Sequence, residues 1–231
     1  MDMTAVPSCS PISCRQCDLN AICRLTGLIA YADMRARRVS GALRKVSAGR
    51  ALFRAGTPAS MLFAIRQGTV KLTRVTPEGD ERIESFHTPG EVLGLEAVNG
   101  KVYAWDAVAL EAVQCCELPV PILDSSTSQT AAMASALVRL LSKGISRIHL
   151  ARGSARQRVV NFLLDLSQRL SERGLDGTNI KLAMSRSEMA NLLDTRIETV
   201  SRILQQLHRE QAIQIRGSKV HMGTLAVGVH S

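Results

Sequence analysis

A chain of 231 residues with 45% hydrophobic residues is long enough for two modest domains, each with its own core. No apolar run approaches the roughly 18 residues of a membrane-spanning helix, and no secretory signal is evident, so we expect a cytoplasmic protein without a membrane partner. The net charge is +9, and residues 132–231 hold 15 Lys/Arg against 7 Asp/Glu, which favours a polyanionic partner such as DNA for that part.

Closely spaced cysteines mark the N-terminal segment. Cys14, Cys17 and Cys23 follow a C-x2-C-x5-C spacing. Because cytoplasmic thiols stay reduced, this spacing indicates a metal or redox role rather than a disulfide framework. Three local thiolates leave a four-ligand centre one ligand short, and a further pair of cysteines, Cys115 and Cys116, lies far along the chain. The pattern predicts a four-thiolate site closed over a long distance, with zinc as the competing metal and unliganded cysteines as the other alternative.

From Val46 to Pro119, short alternating runs of apolar and polar residues are punctuated by glycine. LFAIRQG, TVKLTRV, ERIESFH and AVALEAVQCCELP predict strands, and TPEGD (Thr76 to Asp80) predicts a hairpin turn. Many short strands at regular spacing indicate a closed double sheet of the jelly-roll type. Such a fold often holds a small ligand. No Arg-Ser pair follows the stretch from Gly90 to Val98 to compensate a buried phosphate, so a cyclic nucleotide is disfavoured.

A long helix is predicted from Ser128 to about Leu150, with apolar residues recurring at intervals of three and four. At 1.5 Å per residue it would be roughly 35 Å long, which suits pairing with a second copy of the chain. A core helix between two domains is the alternative. The predicted dimerisation residues are Met133, Leu137, Leu140, Leu141, Ile145 and Ile148.

After a further helix from Ala155 to Leu170, the stretch from Ser185 to Gln211 predicts two short helices joined by a tight turn at Asp194, a position where glycine is common. The predicted apolar stripe of the second helix is Ile197, Val200, Leu204 and Leu207. Its opposite face carries Glu198, Ser201, Arg202 and Gln205. These side chains can bind base edges in the major groove, as in a helix-turn-helix. An ordinary amphipathic helix pair is the alternative, but it does not explain the basic charge of the same part of the chain.

A short wing is predicted to follow the second helix. The run AIQIRGSKVHM indicates two strands that turn at Gly217-Ser218. Arg216 and Lys219 are then placed to contact phosphates. The sequence therefore predicts a winged helix-turn-helix that binds double-stranded DNA.

The order of these features resembles the CRP/FNR transcription regulators, and the oxygen-sensing FNR branch in particular. The resemblance spans nearly the whole chain and is carried by the cysteine spacing, LFAIRQGTVK, GDERIESFHTPGEVLG, C-E-L-P and E-T-V-S-R. It implies an α+β chain with four parts. These are a cysteine-bearing segment (1–27), a jelly-roll sensor domain (28–124), a dimerisation helix (125–152) and a winged helix-turn-helix domain (153–231).

The resemblance also implies a cofactor and partners. Cys14, Cys17, Cys23 and Cys116 would hold a [4Fe-4S] cluster, with Cys116 chosen because it directly precedes E-L-P. A homodimer would bind a palindrome of TTGAT-like half-sites through Glu198, Ser201 and Arg202, until oxygen attacks the cluster and DNA affinity falls. RNA polymerase would contact the hairpin loop at Thr76, Glu78, Gly79 and Asp80.

Some features depart from this pattern or stay outside it. The FNR-type dimer helix usually carries acidic residues, whereas residues 129–150 contain no Asp or Glu, which implies a dimer less tightly controlled by oxygen. Arg196 replaces the usual N-cap hydroxyl.

Cys115 is predicted to be a small buried apolar residue. No nucleophile or phosphate-loop motif is present, so we expect no enzymatic activity. The main alternative is a CRP-like dimeric regulator whose cysteines bind zinc or no metal and which responds to another signal.

Overall fold

The computed structural model describes residues 11–25, 43–95, 102–120, 131–145 and 153–225. The chain forms two compact units, Met1–Arg74 with Phe86–Leu140, and Val75–Ser85 with Leu141–Ser231. Among the described helices, none is both long and apolar enough to span a bilayer.

The predicted runs form strands, but AVALEAVQCCELP divides into two strands separated by residues 110–112, and three further strands of the described jelly roll lie outside the predicted runs. Within the described ranges the strands of the jelly roll are β1 (Leu43–Val46), β2 (Ala51–Phe53), β3 (Met61–Gln67), β4 (Val70–Val75), β5 (Glu81–His87), β6 (Val92–Leu93), β7 (Asp106–Ala109) and β8 (Val113–Pro119). They build two four-stranded sheets with the orders β1-β8-β3-β6 and β2-β7-β4-β5. The double sheet confirms the predicted jelly roll, since each sheet buries one face against the other.

Strand alternation gives the sheet that contains β3 and β8 two different apolar faces. Phe63, Ile65 and Cys115 lie in the core between the sheets, whereas Ala64 and Cys116 belong to a second apolar cluster on the outer face. Successive side chains of a strand point to opposite faces, so two adjacent cysteines must enter different clusters. The predicted burial of Cys115 is confirmed, because its side chain is fully buried.

The outer cluster is covered by the N-terminal segment and by a helix. The segment forms a 3-10 turn (Cys14–Gln16) and a short helix α1 (Asn20–Leu25). The described part of the predicted long helix is α2 (Ala131–Ile145). Ala136 and Leu140 of α2 are buried in the same cluster as the cysteine segment.

The C-terminal residues form three helices and a small sheet. The helices are α3 (Ala155–Ser171), α4 (Arg186–Leu192) and α5 (Ile197–Arg209), and the strands are β9 (Asn179–Lys181), β10 (Gln214–Arg216) and β11 (Lys219–His221). The wing has three strands in the order β10-β11-β9 rather than the two that the sequence predicts. The additional strand pairs Ile180 with Val220, and both side chains are buried. Three residues are too short for a periodicity to appear in the sequence.

One predicted core position of the second helix is wrong. Ile197 is 43% exposed, and Ile203 is buried together with Val200, Leu204 and Leu207. The buried stripe therefore follows i, i+3, i+4 and i+7 from Val200. Ile197 is the first residue of α5, where the chain has only just left the turn and the helix is not yet covered by its neighbours.

Candidate metal centre and nucleic-acid interface

Local hydrogen bonds shape the cysteine segment. The side-chain oxygen of Gln16 accepts from the backbone amide of Ser13 at 3.0 Å and from its hydroxyl at 2.9 Å. The side-chain amide of Asn20 donates to the carbonyl oxygen of Cys14 at 2.7 Å, so the start of α1 is tied to the 3-10 turn. Polar side chains thereby satisfy backbone groups that a segment this short leaves without helical partners. The loop has a defined shape before any metal is considered.

The segment is also anchored to the jelly roll. Leu19 and Ile22 are almost completely buried in the outer cluster, and burial of such side chains contributes about 1.5–3 kcal/mol each. The amide of Asp18 donates to the carbonyl of Gly90 at 2.8 Å, and the amide of Ile12 donates to the carbonyl of Arg66 at 2.9 Å. Backbone bonds on both sides of the cysteine spacing therefore hold the loop against the sheet.

The structure brings together the four cysteines that the resemblance assigned as ligands. Cys14, Cys23 and Cys116 are buried in the outer cluster, and the half-buried Cys17 packs against it. The thiols also influence one another electrostatically, since Cys116 acts on both Cys17 and Cys23. Cys115 faces the inter-sheet core instead. Among the described residues, no group of three His, Cys, Asp or Glu side chains converges closely enough to hold a single metal ion.

Burial keeps these thiols protonated at neutral pH. Desolvation, together with the nearby sulfurs of Cys116 and Cys14, raises the pKa of Cys23 to about 12. Desolvation also raises the pKa of Cys14 and of Cys116, while the guanidinium of Arg66 lowers both. Metal ligation requires thiolates, so binding must release protons from these groups. Soft sulfur ligands in a buried site with one neighbouring guanidinium suit an iron–sulfur centre or zinc.

The predicted base-reading face is exposed on the recognition helix α5. Glu198, Arg202 and Gln205 are exposed and Ser201 is half-buried. The buried side of α5 packs against the rest of its unit through the stripe that starts at Val200. Most of the polar face is thus exposed and can enter a major groove.

The turn before α5 is held by a residue that sequence reasoning did not identify. Asp194 has a φ of 48°, which confirms the predicted left-handed turn position. Arg158 of α3 donates from Nε to the carbonyl of Leu193 at 2.8 Å and from Nη2 to that of Asp194 at 3.1 Å. Its Nη1 donates to the carbonyl of Gly153 at 2.8 Å. A cation at the end of α4 satisfies carbonyl groups that the helix leaves open and interacts favourably with the helix dipole.

The wing presents its predicted basic residues at its tip. Arg216 and Lys219 are register partners on β10 and β11, and both are exposed. Gly217 between them has a φ of 60°, as a tight hairpin turn requires. Two adjacent cations at an exposed turn can contact a phosphate backbone.

The predicted dimerisation residues have different surroundings. Leu140 is buried within its own protomer in the outer cluster, whereas Leu141 is 54% exposed. Val138, which is not among the predicted positions, is 61% exposed. The side chains of Met133, Leu137 and Ile145, and all of Ile148, lie outside the described part of the structure. Val138 and Leu141, at i and i+3, form an exposed apolar face of α2.

The predicted polymerase loop is a tight hairpin turn between β4 and β5. The amide of Thr76 donates to the carbonyl of Asp80 at 2.8 Å, and the amide of Gly79 donates to that of Thr76 at 2.9 Å. Gly79 has a φ of 91°, which explains why glycine occupies this position. Glu78, Gly79 and Asp80 are exposed at the tip.

Both domains match known families. Residues 43–127 match the cyclic nucleotide-binding domain, and residues 157–223 match the Crp-like helix-turn-helix domain. Among solved structures, FixK2 from Bradyrhizobium japonicum aligns with a TM-score of 0.64 at 24% identity, over 79% of this chain and 92% of that one. This likeness supports the fold.

Curated relatives match over most of their length. The transcriptional activator protein anr of Pseudomonas aeruginosa is 33% identical, over 90% of this chain and 88% of the relative. The fumarate and nitrate reduction regulatory protein of Vibrio cholerae is 30% identical, over 90% and 86%. The anaerobic regulatory protein of Aggregatibacter actinomycetemcomitans is 29% identical, over 93% and 86%.

A jelly-roll domain followed by a winged helix-turn-helix defines a DNA-binding transcription regulator. The identity and coverage of the curated relatives also assign the regulator to a family. The chain belongs to the CRP/FNR family, and its relatives are of the FNR type.

Proposed function

We propose that this regulator responds to oxygen through a [4Fe-4S] cluster held by Cys14, Cys17, Cys23 and Cys116. The observation that carries the proposal is the outer cluster, in which these thiols pack together with Ala136 and Leu140 of α2. Four cysteines are the ligand set of such clusters. The names of the relatives, which refer to anaerobic regulation and to fumarate and nitrate reduction, support a link to oxygen supply.

When bound, the cluster supplies reactivity toward oxygen, and the residues of the chain convert its state into a change of packing. The cysteine loop rests on one face of α2 through Ala136 and Leu140. Val138 and Leu141 lie on the exposed face of the same helix, where a second protomer would pack. Release of the four thiols from a common centre would loosen the first face and shift the position of the second. Such switches require two packings that differ by only a few kcal/mol.

The proposed DNA target is a palindrome of TTGAT-like half-sites bound by a homodimer. Arg202 would bind guanine with two parallel hydrogen bonds, Glu198 would accept from cytosine, and Ser201 would contact an adjacent base edge. Gln205 would extend this face, and Arg216 and Lys219 would bind phosphates from the wing. Two recognition helices roughly 34 Å apart would fit successive major grooves.

RNA polymerase is the second proposed partner. The exposed turn at Glu78, Gly79 and Asp80 offers an acidic tip to the β4–β5 hairpin, closed by backbone hydrogen bonds. An acidic tip is suited to a basic surface on a partner protein. Replacement of Asp80 by alanine should then lower transcription from a target promoter while DNA affinity stays unchanged.

The decisive experiment is anaerobic purification followed by admission of air. We expect brown protein with about four irons and four sulfides per chain, and both the colour and the affinity for a TTGAT palindrome should decline in air. Cys116→Ser should abolish the colour, whereas its neighbour Cys115→Ser should keep it, since Cys115 faces the other side of the sheet. Colourless protein with zinc or no metal, and with equal DNA affinity in air, would contradict the proposal and favour a regulator with another signal.

A further inference from the structure

A buried arginine lies at an irregular point of the sheet beneath the cysteine loop. Arg66 is 8% exposed. The β3–β8 register shifts between Ile65 and Gln67, so Arg66 occupies a bulge with no partner position on β8. A bulge redirects the side chain it carries, and bulges are common beside functional sites. The bonds of its side chain to Ile12 place Arg66 on the face of Ala64, which is the face that the cysteine loop covers.

The side chain of Arg66 binds the start of the cysteine loop. Both Nε, at 3.2 Å, and Nη2, at 2.9 Å, donate to the carbonyl oxygen of Ile12. The amide of Ile12 donates back to the carbonyl of Arg66 at 2.9 Å. Ile12 precedes Cys14 by two residues and is itself buried. One residue of β3 therefore satisfies both backbone groups of the residue that leads into the cysteine spacing.

The same guanidinium reaches the ligand contributed by the sheet. Arg66 lies close enough to Cys116 and to Cys14 to act electrostatically on both thiols. Cys14 and Cys116 are separated by 102 positions in the sequence. Hydrogen bonds and charges around a metal ligand fix its orientation and tune the metal that it binds.

We propose that Arg66 is a positioning residue for the iron–sulfur centre. The arginine joins the loop that carries the ligand Cys14 to the sheet that carries the ligand Cys116, and it compensates the negative charge of their thiolates. Buried thiolates are costly without nearby positive charge, and the guanidinium of Arg66 supplies it beside the cysteine loop. The inference rests on the proposed cluster. It assigns Arg66 two separable tasks, namely anchoring the loop through Ile12 and supplying positive charge.

Two substitutions separate these tasks. Arg66→Lys keeps the positive charge but loses the planar fork that places two donors on one oxygen. Arg66→Gln removes the charge. The matched control is Arg44→Gln on β1, because Arg44 is the register partner of Cys115 and pairs with Glu117 at 3.1 Å. This control removes a positive charge beside β8 as well, but at a position on β1 away from the cysteine loop.

The first measurement is the rate at which the full-length protein releases iron to a chelator without oxygen. We expect about 10-fold faster release from Arg66→Gln, at the lower end of the effect of changing a residue that supports metal ligands. Arg66→Lys should give an intermediate rate and Arg44→Gln the wild-type rate. Release from Arg66→Gln at the wild-type rate, or equal acceleration by Arg44→Gln, would overturn the proposal.

The second measurement needs no cluster. Hydrogen exchange of the metal-free proteins reports the amide of Ile12, which should exchange faster in both Arg66 variants and normally in Arg44→Gln. Thermal unfolding of each variant checks that the jelly roll is intact. If Arg66→Gln takes up no iron, unchanged exchange at Ile12 would still overturn the inference. If the wild-type protein itself takes up no iron, the proposed cluster fails, and the exchange experiment decides the anchoring role of Arg66 separately.

Discussion

Adjacent residues on β8 have opposite roles because a strand has two faces. Cys115 fills the inter-sheet core, where its thiol contacts the carbonyl of Arg44 at 3.8 Å, and Cys116 meets the cysteine loop. Burial raises the pKa of Cys115 to about 12, so this thiol stays protonated and chemically inert. The cysteine that belongs to the candidate site is therefore decided by the parity of its position on the strand.

The buried thiols predict how metal-free protein responds to alkaline pH. The pKa of Cys23 is about 12 in the folded chain and 9.0 ordinarily, so above pH 9 the unfolded chain loses a proton that the folded chain retains. The free energy of unfolding should therefore fall as pH rises from 9 towards 12, by at most about 1.4 kcal/mol per pH unit for each such thiol. Urea unfolding at several pH values measures this slope. Cys23→Ser should make it shallower, and an unchanged slope would contradict the assignment.

Base contacts and phosphate contacts predict different mutant behaviour. Arg202→Ala should weaken binding to the TTGAT palindrome by about 1–3 kcal/mol and leave binding to scrambled DNA nearly unchanged. Arg216→Ala should weaken binding to both DNAs and reduce the salt dependence by about one ion. Titrations of both DNAs at several salt concentrations distinguish the two effects. Equal loss on both DNAs for Arg202→Ala would exclude a base-reading role.

At the scale of secondary-structure elements, the position of the recognition helix depends on how the preceding turn is held. Arg196 is the N-cap of α5 and forms no side-chain capping bond, so the usual local determinant of the helix start is absent. Arg158 acts from α3 on the carbonyls of Leu193 and Asp194 instead. A long-range hydrogen bond thus replaces a local cap.

The contacts that hold this turn predict different effects on stability for two arginine variants. Arg158→Gln should lower the free energy of unfolding by about 1–3 kcal/mol, because charged hydrogen bonds to backbone carbonyls are lost, including the part-buried one to Leu193, and should weaken binding to the palindrome. Arg156→Gln breaks an exposed pair with Glu210 and should cost at most about 1 kcal/mol. Urea unfolding and DNA titration of both variants provide the measurement. Equal effects would show that Arg158 has no special role at the turn.

At the scale of the whole molecule, α2 has one face buried in its own protomer and one exposed. Leu140 belongs to the first face, and Val138 and Leu141 to the second. A dimer that used the exposed face would have its packing linked to the cysteine segment through a single helix. In the proposed mechanism, this arrangement would connect the metal centre physically to the geometry of a dimer.

The exposed face of α2 predicts the effect of a charge on assembly. Val138→Glu should dissociate the dimer, because a carboxylate would have to be desolvated in an apolar interface. Sedimentation at several protein concentrations measures the association. The control is Val75→Glu, which places the same charge at an exposed valine outside α2. A dimer that withstands Val138→Glu would require a different interface.

Local spacing was sufficient for several features of this chain. Strand alternation, turn glycines such as Gly79 and Gly217, and the helical period of the stretch after Ser185 predict the jelly roll and the winged helix-turn-helix, because these patterns depend on neighbours within a few residues. The predicted pairing of Cys116 with the N-terminal cysteines depended on the family resemblance, since its position is set by the register of β3 and β8.

Other features were decided by tertiary structure alone. The sequence identifies the apolar residues of α2, but only packing in the outer cluster determines that Leu140 is buried. Likewise Ile197 and Ile203 are both isoleucines of α5, and only packing against the rest of the unit determines that Ile203 is buried and Ile197 is exposed. The bonds of Arg66 to Ile12 and of Arg158 to the turn join residues 54 and 35 positions apart. No local pattern encodes such contacts, because they exist only once the chain has folded and desolvated the groups that form them.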